Sequence, residues 1–375
     1  MEHLAWRNLF QNKASLVVSV GGVALALTLI LAFDAIFTGT GRQLTTYIDN
    51  AGAQVFVSQR GVRNIHMSSS WAPAATLDEV RAVPGVAAVT PVMYVTTILS
   101  TGDRRSLAYV MGVPPDARAG GPWRMAEGSA LPGPGQAVID RVIAERAGIG
   151  LGDQVRLLGG AFTISGLAEG TVSITNSIAW ISIDDFARLR GDQGAPPFSY
   201  GLVSTDPGAS AAAVAQRIAA AAPELTVQTR TAFARQERVF VTDMSAELIA
   251  IMNLVGFLIG LAVLALTIYT ATLARRAEWG MLKALGARNT HLYRAVAAQA
   301  GISVGFGLAL ALLITLLLTI TIPLAAPSVA LAVSGGSLAK VGVVALLISG
   351  LAALLPAWQL SRLDPAIVYR RGGPR

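Results

Sequence analysis

Hydrophobic and polar positions fall into four long apolar runs, with one long mixed stretch between the first run and the second. Leu16–Phe33 is broken only by Ser19, Thr28 and small residues. About 18 apolar residues with their flanks reach across a hydrocarbon core of about 30 Å. Leu248–Leu273 carries no charge, a third run extends from Ala295 to Thr321, and Val341–Leu360 is the fourth. Pro323 and Pro327 are expected to stop the third run. Asp34 reads as interfacial and Lys340 as a snorkelling end residue. A cleaved signal peptide fits less well, because the first run is too long and no small-x-small site follows it. Gly21 and Gly22 are placed to let another helix approach closely. The pattern predicts a polytopic α-helical membrane protein with four transmembrane helices.

The mixed stretch has charges of both signs, short apolar runs, prolines and glycines, and it is long enough to bury its own core. Gln54–Ser58 alternates as a strand does. Thr76-Leu77-Asp78-Glu79 reads as a capping box opening a short helix. Val86–Leu99 is β-rich, with Pro91 as a break. A Pro/Gly-rich linker, Pro114–Pro134, follows the strand Leu107–Gly112. Asp140 caps a helix to Ala147, Val155–Leu158 and Phe162–Leu167 form a hairpin, and strands and helices alternate up to Gln228. This predicts a large α+β extracytoplasmic domain between the first and second membrane helices. No proline or glycine lies between Pro223 and Gly256, so helix is predicted from Phe233 through Leu273. Some 40 residues give roughly 60 Å of helix, about twice the bilayer core. The surplus is predicted to be a stalk, and Gly256 and Gly260, in the membrane part, are the places where the long helix could flex.

Charge then orients the chain. The 375 residues carry a net charge of +7, which raises the question of nucleic acid. Between Arg42 and Glu247, however, 17 basic residues meet 18 acidic ones. The excess lies in the short segments flanking the apolar runs, a positive-inside pattern that puts both termini in the cytoplasm. A nucleic-acid patch would instead occupy a folded soluble face. Met1–Lys13, with Trp6 among its apolar residues, reads as an amphipathic helix lying on membrane lipid. The chain has no cysteine.

Between the second and third runs stands Ala-Arg-Arg-Ala-Glu-Trp-Gly-Met-Leu-Lys-Ala-Leu-Gly-Ala, Ala274–Ala287. Glu278–Gly286 reads as a helix of about two turns, with Met281, Leu282 and Leu285 on one side and Trp279 at its edge. From pattern alone it either lies in the lipid interface or fits a groove on a cytoplasmic partner. The stretch resembles the signature of the MacB/FtsX-like (DevC/LolC-type) family of ABC-transporter permeases, with Trp279 where isoleucine is usual. The tail from Pro356 through Ser361, Arg362, Asp364 and Pro365 resembles the family's ending. "PGVAAVTPV" and "GQAVIDRVIAERAGIGLGDQVRL" resemble its ectodomain.

The resemblance implies a layout. Residues 1–40 would hold the entry helix and first span, and 41–235 a periplasmic domain with a porter-like α/β part and a β-rich insert around 126–200. Residues 236–274 would be stalk and second span, 275–294 the coupling segment, and 295–322 the third span. An outer loop would fill 323–340, the fourth span 341–361 and a cytoplasmic tail 362–375. It also implies that Arg276, Glu278, Trp279, Gly280, Met281, Leu282, Lys283, Ala284, Leu285 and Gly286 dock on a separate cytoplasmic ABC ATPase. A second permease copy, identical or paralogous, and a periplasmic adaptor are the other implied partners. The localisation implied is the cell inner membrane. The function implied is export or extraction of a hydrophobic or amphipathic substrate. The alternative is an FtsX-like signalling module that activates a cell-wall hydrolase.

Chemistry of the chain's own is hard to find in the sequence. A phosphate-cradling loop needs Gly-Lys-Ser/Thr, and none of Lys13, Lys283 or Lys340 follows a glycine. ATP and Mg are therefore expected on the partner ATPase, with no cofactor, metal or catalytic residue here. His3, His66 and His291 are far apart in the predicted topology, which does not suit zinc. Gly335-Gly336-Ser337 lacks the last glycine of a nucleophile elbow. No charge lies near the middle of a run, which argues against a proton or ion pathway. Met67-Ser68-Ser69-Ser70-Trp71 reads either as a flexible loop or as a contact in which Met67 and Trp71 meet substrate or partner.

Overall fold

The computed structural model describes residues 13–65, 69–101, 104–172, 177–191, 197–326 and 329–361. The entry helix expected over 1–12, His66, Met67, Ser68, Pro327 and the tail 362–375 lie outside them. The chain divides into two compact units. One holds 1–39, 245–325 and 331–375, and the other 40–244 with 326–330.

Among the described residues, four helices are long and apolar enough to cross a membrane: Lys13–Asn50, Glu247–Ala274, Asn289–Ala325 and Gly335–Gln359. The first is α1. The second is the distal part of a 45-residue helix described below. A single apolar cluster joins Val23, Leu27 and Leu31 to Leu264, Ile268, Val296, Val304, Val341 and Ile348. Glycines set how closely these helices pack. A Cβ on Gly256 would lie 2.7 Å from Cγ1 of Ile30, and one on Gly307 would lie 2.7 Å from Cγ1 of Val23. Gly22 faces Val263 in the same way, whereas Gly21 faces open space. The helix is continuous through Gly256 and Gly260, and both glycines are packing contacts.

Two further expectations change. Pro323 lies inside the third membrane helix, which continues to Ala325. So near a helix end, proline removes a single backbone bond, and the helix tolerates the loss. Asp34 and Lys340 are not isolated end residues. The Asp34 carboxylate accepts from the Lys340 ammonium and from the Ser337 hydroxyl. Ser334 and Ser337 cap each other at the start of the fourth helix, Gly335–Ser361.

In the second unit the element order is β1 (Val55–Gln59), α2 (Thr76–Arg81), β2 (Val86–Thr101), β3 (Arg104–Val113), β4 (Met125–Gly128), β5 (Gln136–Asp140) and α3 (Arg141–Ala147). There follow β6 (Gln154–Leu157), β7 (Gly160–Ala168), β8 (Ser177–Ser182), α4 (Ile183–Arg190), β9 (Tyr200–Thr205), α5 (Ala211–Ala221), β10 (Leu225–Thr229) and α6 (Arg230–Ala274). Hydrogen bonding links the strands in the order β10-β1-β9-β2-β3-β8-β5-β7-β4, with β6 joining β2 and β7. The sheet has two lobes because β2 changes partner along its length. Residues 86–92 pair with β9 and 93–101 with β3.

Around β1 and β9, alternation along the strands sends side chains to two cores. Val55, Val57 and Val203 face α2 and α5 through Leu77, Val80, Val214 and Ile218. Phe56, Tyr200 and Leu202 face Tyr47 and Ile48 of α1 and Phe233 of α6. The last turns of α1 are thus part of this unit. The helix runs to Asn50, beyond the expected end of the first segment at residue 40.

The β-rich lobe has its own core, drawn from Met93, Leu99, Val110, Ile139, Phe162, Ile181 and Phe186. It begins in β2, earlier than the expected insert around 126–200. Parallel pairing of β3 with β8 brings 108–113 beside 177–182, and the Pro/Gly-rich linker is part of this architecture. Its Gly120 carbonyl accepts from the Trp180 indole at 2.8 Å and the Tyr47 hydroxyl at 3.2 Å. At Pro91 the strand continues because β2 has a sheet partner there on one side only, and an open edge tolerates a missing N–H. The expected capping box does not form. No side chain caps α2, and the Thr76 hydroxyl donates to the Pro73 carbonyl.

Candidate functional site

The basic segment between the second and third membrane helices folds into α7, Arg276–Ala284. Arg275 breaks the line from α6 with φ −106° and ψ 24°. Glu278 sits in the first turn and Lys283 in the last, each of the sign the helix dipole favours at its end. Arg275 pairs with Glu278 at 3.9 Å.

The far end shows why the sequence ends Leu-Gly-Ala. Gly286 donates to the Lys283 carbonyl and Ala287 to the Leu282 carbonyl, both at 3.0 Å. This is a Schellman stop, which needs a left-handed residue between the two donors. Gly286 supplies it with φ +89°. The chain then enters α8, Asn289–Ala325.

α7 has an inner and an outer side. Trp279, expected at the edge of the helix, is 8 % exposed and belongs to the apolar cluster with Leu292, Val296 and Ile268. Gly280 is also buried, and Leu282 packs partly on the same cluster. Leu282 therefore does not share one open face with its neighbours. Met281 is 56 % exposed and Leu285 79 %. With Ala277 and Ala284, also exposed, they form an apolar outer stripe at helical spacing, flanked by exposed Arg276, Glu278 and Arg288. A wheel anchored on Trp279, Gly280, Lys283 and Ala287 would have separated the two sides. The Trp-for-Ile departure is thus a change in packing, not an interfacial aromatic.

Trp71, in the second unit, is 53 % exposed, with the Arg190 guanidinium 5.0 Å from its ring centroid. Its backbone N–H donates to the Gln59 side chain.

These features define a membrane protein with a large inserted domain: apolar helices long enough to span, an α+β domain between the first and second of them, and a short helix with an apolar outer stripe. Comparison gives the family. Residues 16–221 match the MacB-like periplasmic core domain and 250–365 match the FtsX-like permease C-terminal domain. The chain belongs to the MacB/FtsX-like family of ABC-transporter permeases, whose members work with cytoplasmic ABC ATPases.

Similar solved structures include the periplasmic region of MacB from Actinobacillus actinomycetemcomitans. It has 12% identity and a TM-score of 0.37, with 50% of this chain and 94% of that one covered. Another is the extracellular domain of the noncanonic ABC-type transporter YknZ from Gram-positive bacteria. It has 11% identity and a TM-score of 0.38, with 47% and 99% covered. No curated protein matches the sequence.

Proposed function

We propose that this chain is the membrane-spanning subunit of an ABC transporter in the cell inner membrane, crossing it four times with both termini in the cytoplasm. A separate ATPase binds ATP and Mg and docks on α7. Two permease copies, identical or paralogous, bring two ATPases together. ATP-driven closure moves α7, and α6 relays the motion to the extracytoplasmic domain. The work done is extraction or export of a hydrophobic or amphipathic molecule, with a periplasmic adaptor completing the path.

The observation that carries this reading is the pairing of a buried Trp279 with exposed Met281 and Leu285. A helix fixed by its inner side and apolar on its outer side suits a partner groove. Hot spots of such contacts are a few well-packed apolar anchors.

The test is Met281→Glu with Leu285→Glu, assayed by co-purification of the ATPase. Burying two carboxylates at the contact is expected to abolish capture, while Trp71→Ala leaves it intact. ATPase capture unchanged by the double substitution would remove the docking role from this face.

A further inference from the structure

Two charges stand alone in long uncharged stretches of this chain, and the fold brings them together. Asp34 is the one charge between Lys13 and Arg42, and Lys340 the one charge between Arg294 and Arg362. The Asp34 carboxylate, on α1, accepts from the Lys340 ammonium and the Ser337 hydroxyl, both on the fourth helix. Its side chain is 12 % exposed and that of Lys340 41 %. One residue further along α1, the Ala35 carbonyl accepts from the Ala332 N–H at 3.0 Å. The mutual capping of Ser334 and Ser337 fixes the first turn of the fourth helix, and with it the hydroxyl that meets Asp34. Charge-assisted hydrogen bonds are directional. A largely buried carboxylate that loses its partner is left uncompensated. The joint therefore resists sliding as well as separation.

The membrane part of α6 is held differently. From Glu247 to Ala274, the side chains that hydrogen-bond among the described residues are Thr267 and Thr270, and both donate to carbonyls of α6 itself. The Asn253 side-chain oxygen is sealed and meets no donor among them. Contact with the other helices is apolar and close. Gly256 lies against Ile30 of α1, and Gly260 against Ala26 of α1 and Ile348 of the fourth helix. Apolar contact is non-directional, so one helix can shift along another and exchange one set of contacts for the next. Small sliding of packed helices is the shear mode of conformational change.

We propose that Asp34, Ser337 and Lys340 form a clasp that keeps α1 and the fourth helix together as one frame throughout the transport cycle, and that the second membrane helix shears along this frame. The proposal rests on α6 being the relay between the ATPase and the extracytoplasmic domain, and it adds which helix boundary moves and which does not. Asp34 and Lys340 are positioning residues in this scheme.

The chain lacks cysteine, so each boundary can be locked in turn. Ala35→Cys with Ala332→Cys ties the frame and leaves the clasp intact. Ile30→Cys with Gly256→Cys ties α6 to α1. Each pair is closed by oxidation or by a short dithiol-reactive linker, and ATP turnover is measured on the full chain with its ATPase in liposomes. The frame lock is expected to keep turnover within about twofold of the reduced protein, and the α6 lock to lower it at least about tenfold, with recovery on reduction or on omission of the linker. Loss of turnover on closing the frame lock would show that the clasp must open, and the proposal would fail. Full turnover with α6 locked would overturn the shear. The clasp has a readout that needs no ATPase. Asp34→Lys and Lys340→Asp should each lower the melting temperature of the purified chain by about 3–6 °C, and the two together should recover most of it. No recovery by the exchanged pair overturns the clasp. Failure to capture an ATPase at all would remove the relay, and the shear with it, while the charge exchange still decides the clasp.

Discussion

Individual side chains in the second unit hold polar groups far from water. Glu237 is fully buried, and its carboxylate accepts from the Ile65 backbone N–H at 2.8 Å. Tyr94, Tyr109 and Tyr200 gather nearby, with ring centroids 5.5 Å and 6.3 Å from that of Tyr94. Burial pushes the Tyr94 phenol up to about 12, with the Glu237 charge adding to it against the Thr96 hydrogen bond. Burial raises Tyr109 and Tyr200 further, again with help from Tyr94 and Glu237. A raised folded-state value favours the neutral phenol, so its stabilisation is complete below the unfolded value near 10 and is lost as pH climbs toward 12. Thermal unfolding followed against pH is expected to fall steeply above about pH 10, and Tyr200→Phe should blunt that fall. Asp140 is a second case. It caps α3 through Val142 at 2.8 Å and accepts from the Thr171 N–H and hydroxyl at 2.9 and 2.7 Å. Asp140→Ala is expected to cost about 2–4 kcal/mol in denaturant unfolding, since one cap and two buried donors lose their acceptor. The cap was readable from Asp140 before a helical run. The grip on Thr171 was not, because it depends on the parallel β5–β7 pairing that brings distant residues together.

Elements follow their periodicity where one face is buried, and composition misleads where it changes within an element. The end of α1 shows this. Polar residues after Gly39 suggest that the helix has stopped, yet Tyr47, Ile48 and Ala51 keep a helical spacing and are all buried in the domain core. Asp49 on its open side pairs with Arg238 of α6 at 3.5 Å, so its polarity marks an exposed face and not a loop. Pro91 and Pro323 were read as breaks from their missing donors. Each sits where the local pairing does not require one. Between membrane helices the glycines decide the fit. Gly256→Val should clash with Ile30 and lower stability by about 1–3 kcal/mol, as overpacking does. Gly21→Val, with open space around it, should leave the melting temperature within experimental error. Thermal scanning of the two purified variants compares them directly.

Across the whole chain, hydropathy fixed where the apolar helices lie, and the basic segment with its Leu-Gly-Ala ending gave the family. These are local signals, one of length and one of a short motif. The division of labour within α7 was not local. Trp279 turns inward because α8 offers Leu292 and Val296, residues that come after it in the chain and whose facing direction no window around Trp279 contains. The makeup of the β-rich lobe is likewise not local, since β3 and β8 pair across more than sixty intervening residues. The inward tryptophan has a genetic corollary. The indole is wedged among side chains from several membrane helices, so on the docking role proposed for α7 a selection for alleles that lose ATPase coupling should recover substitutions such as Ile268→Ala or Val296→Ala. Neither residue belongs to the outward stripe of α7. Their suppressors should map back to position 279.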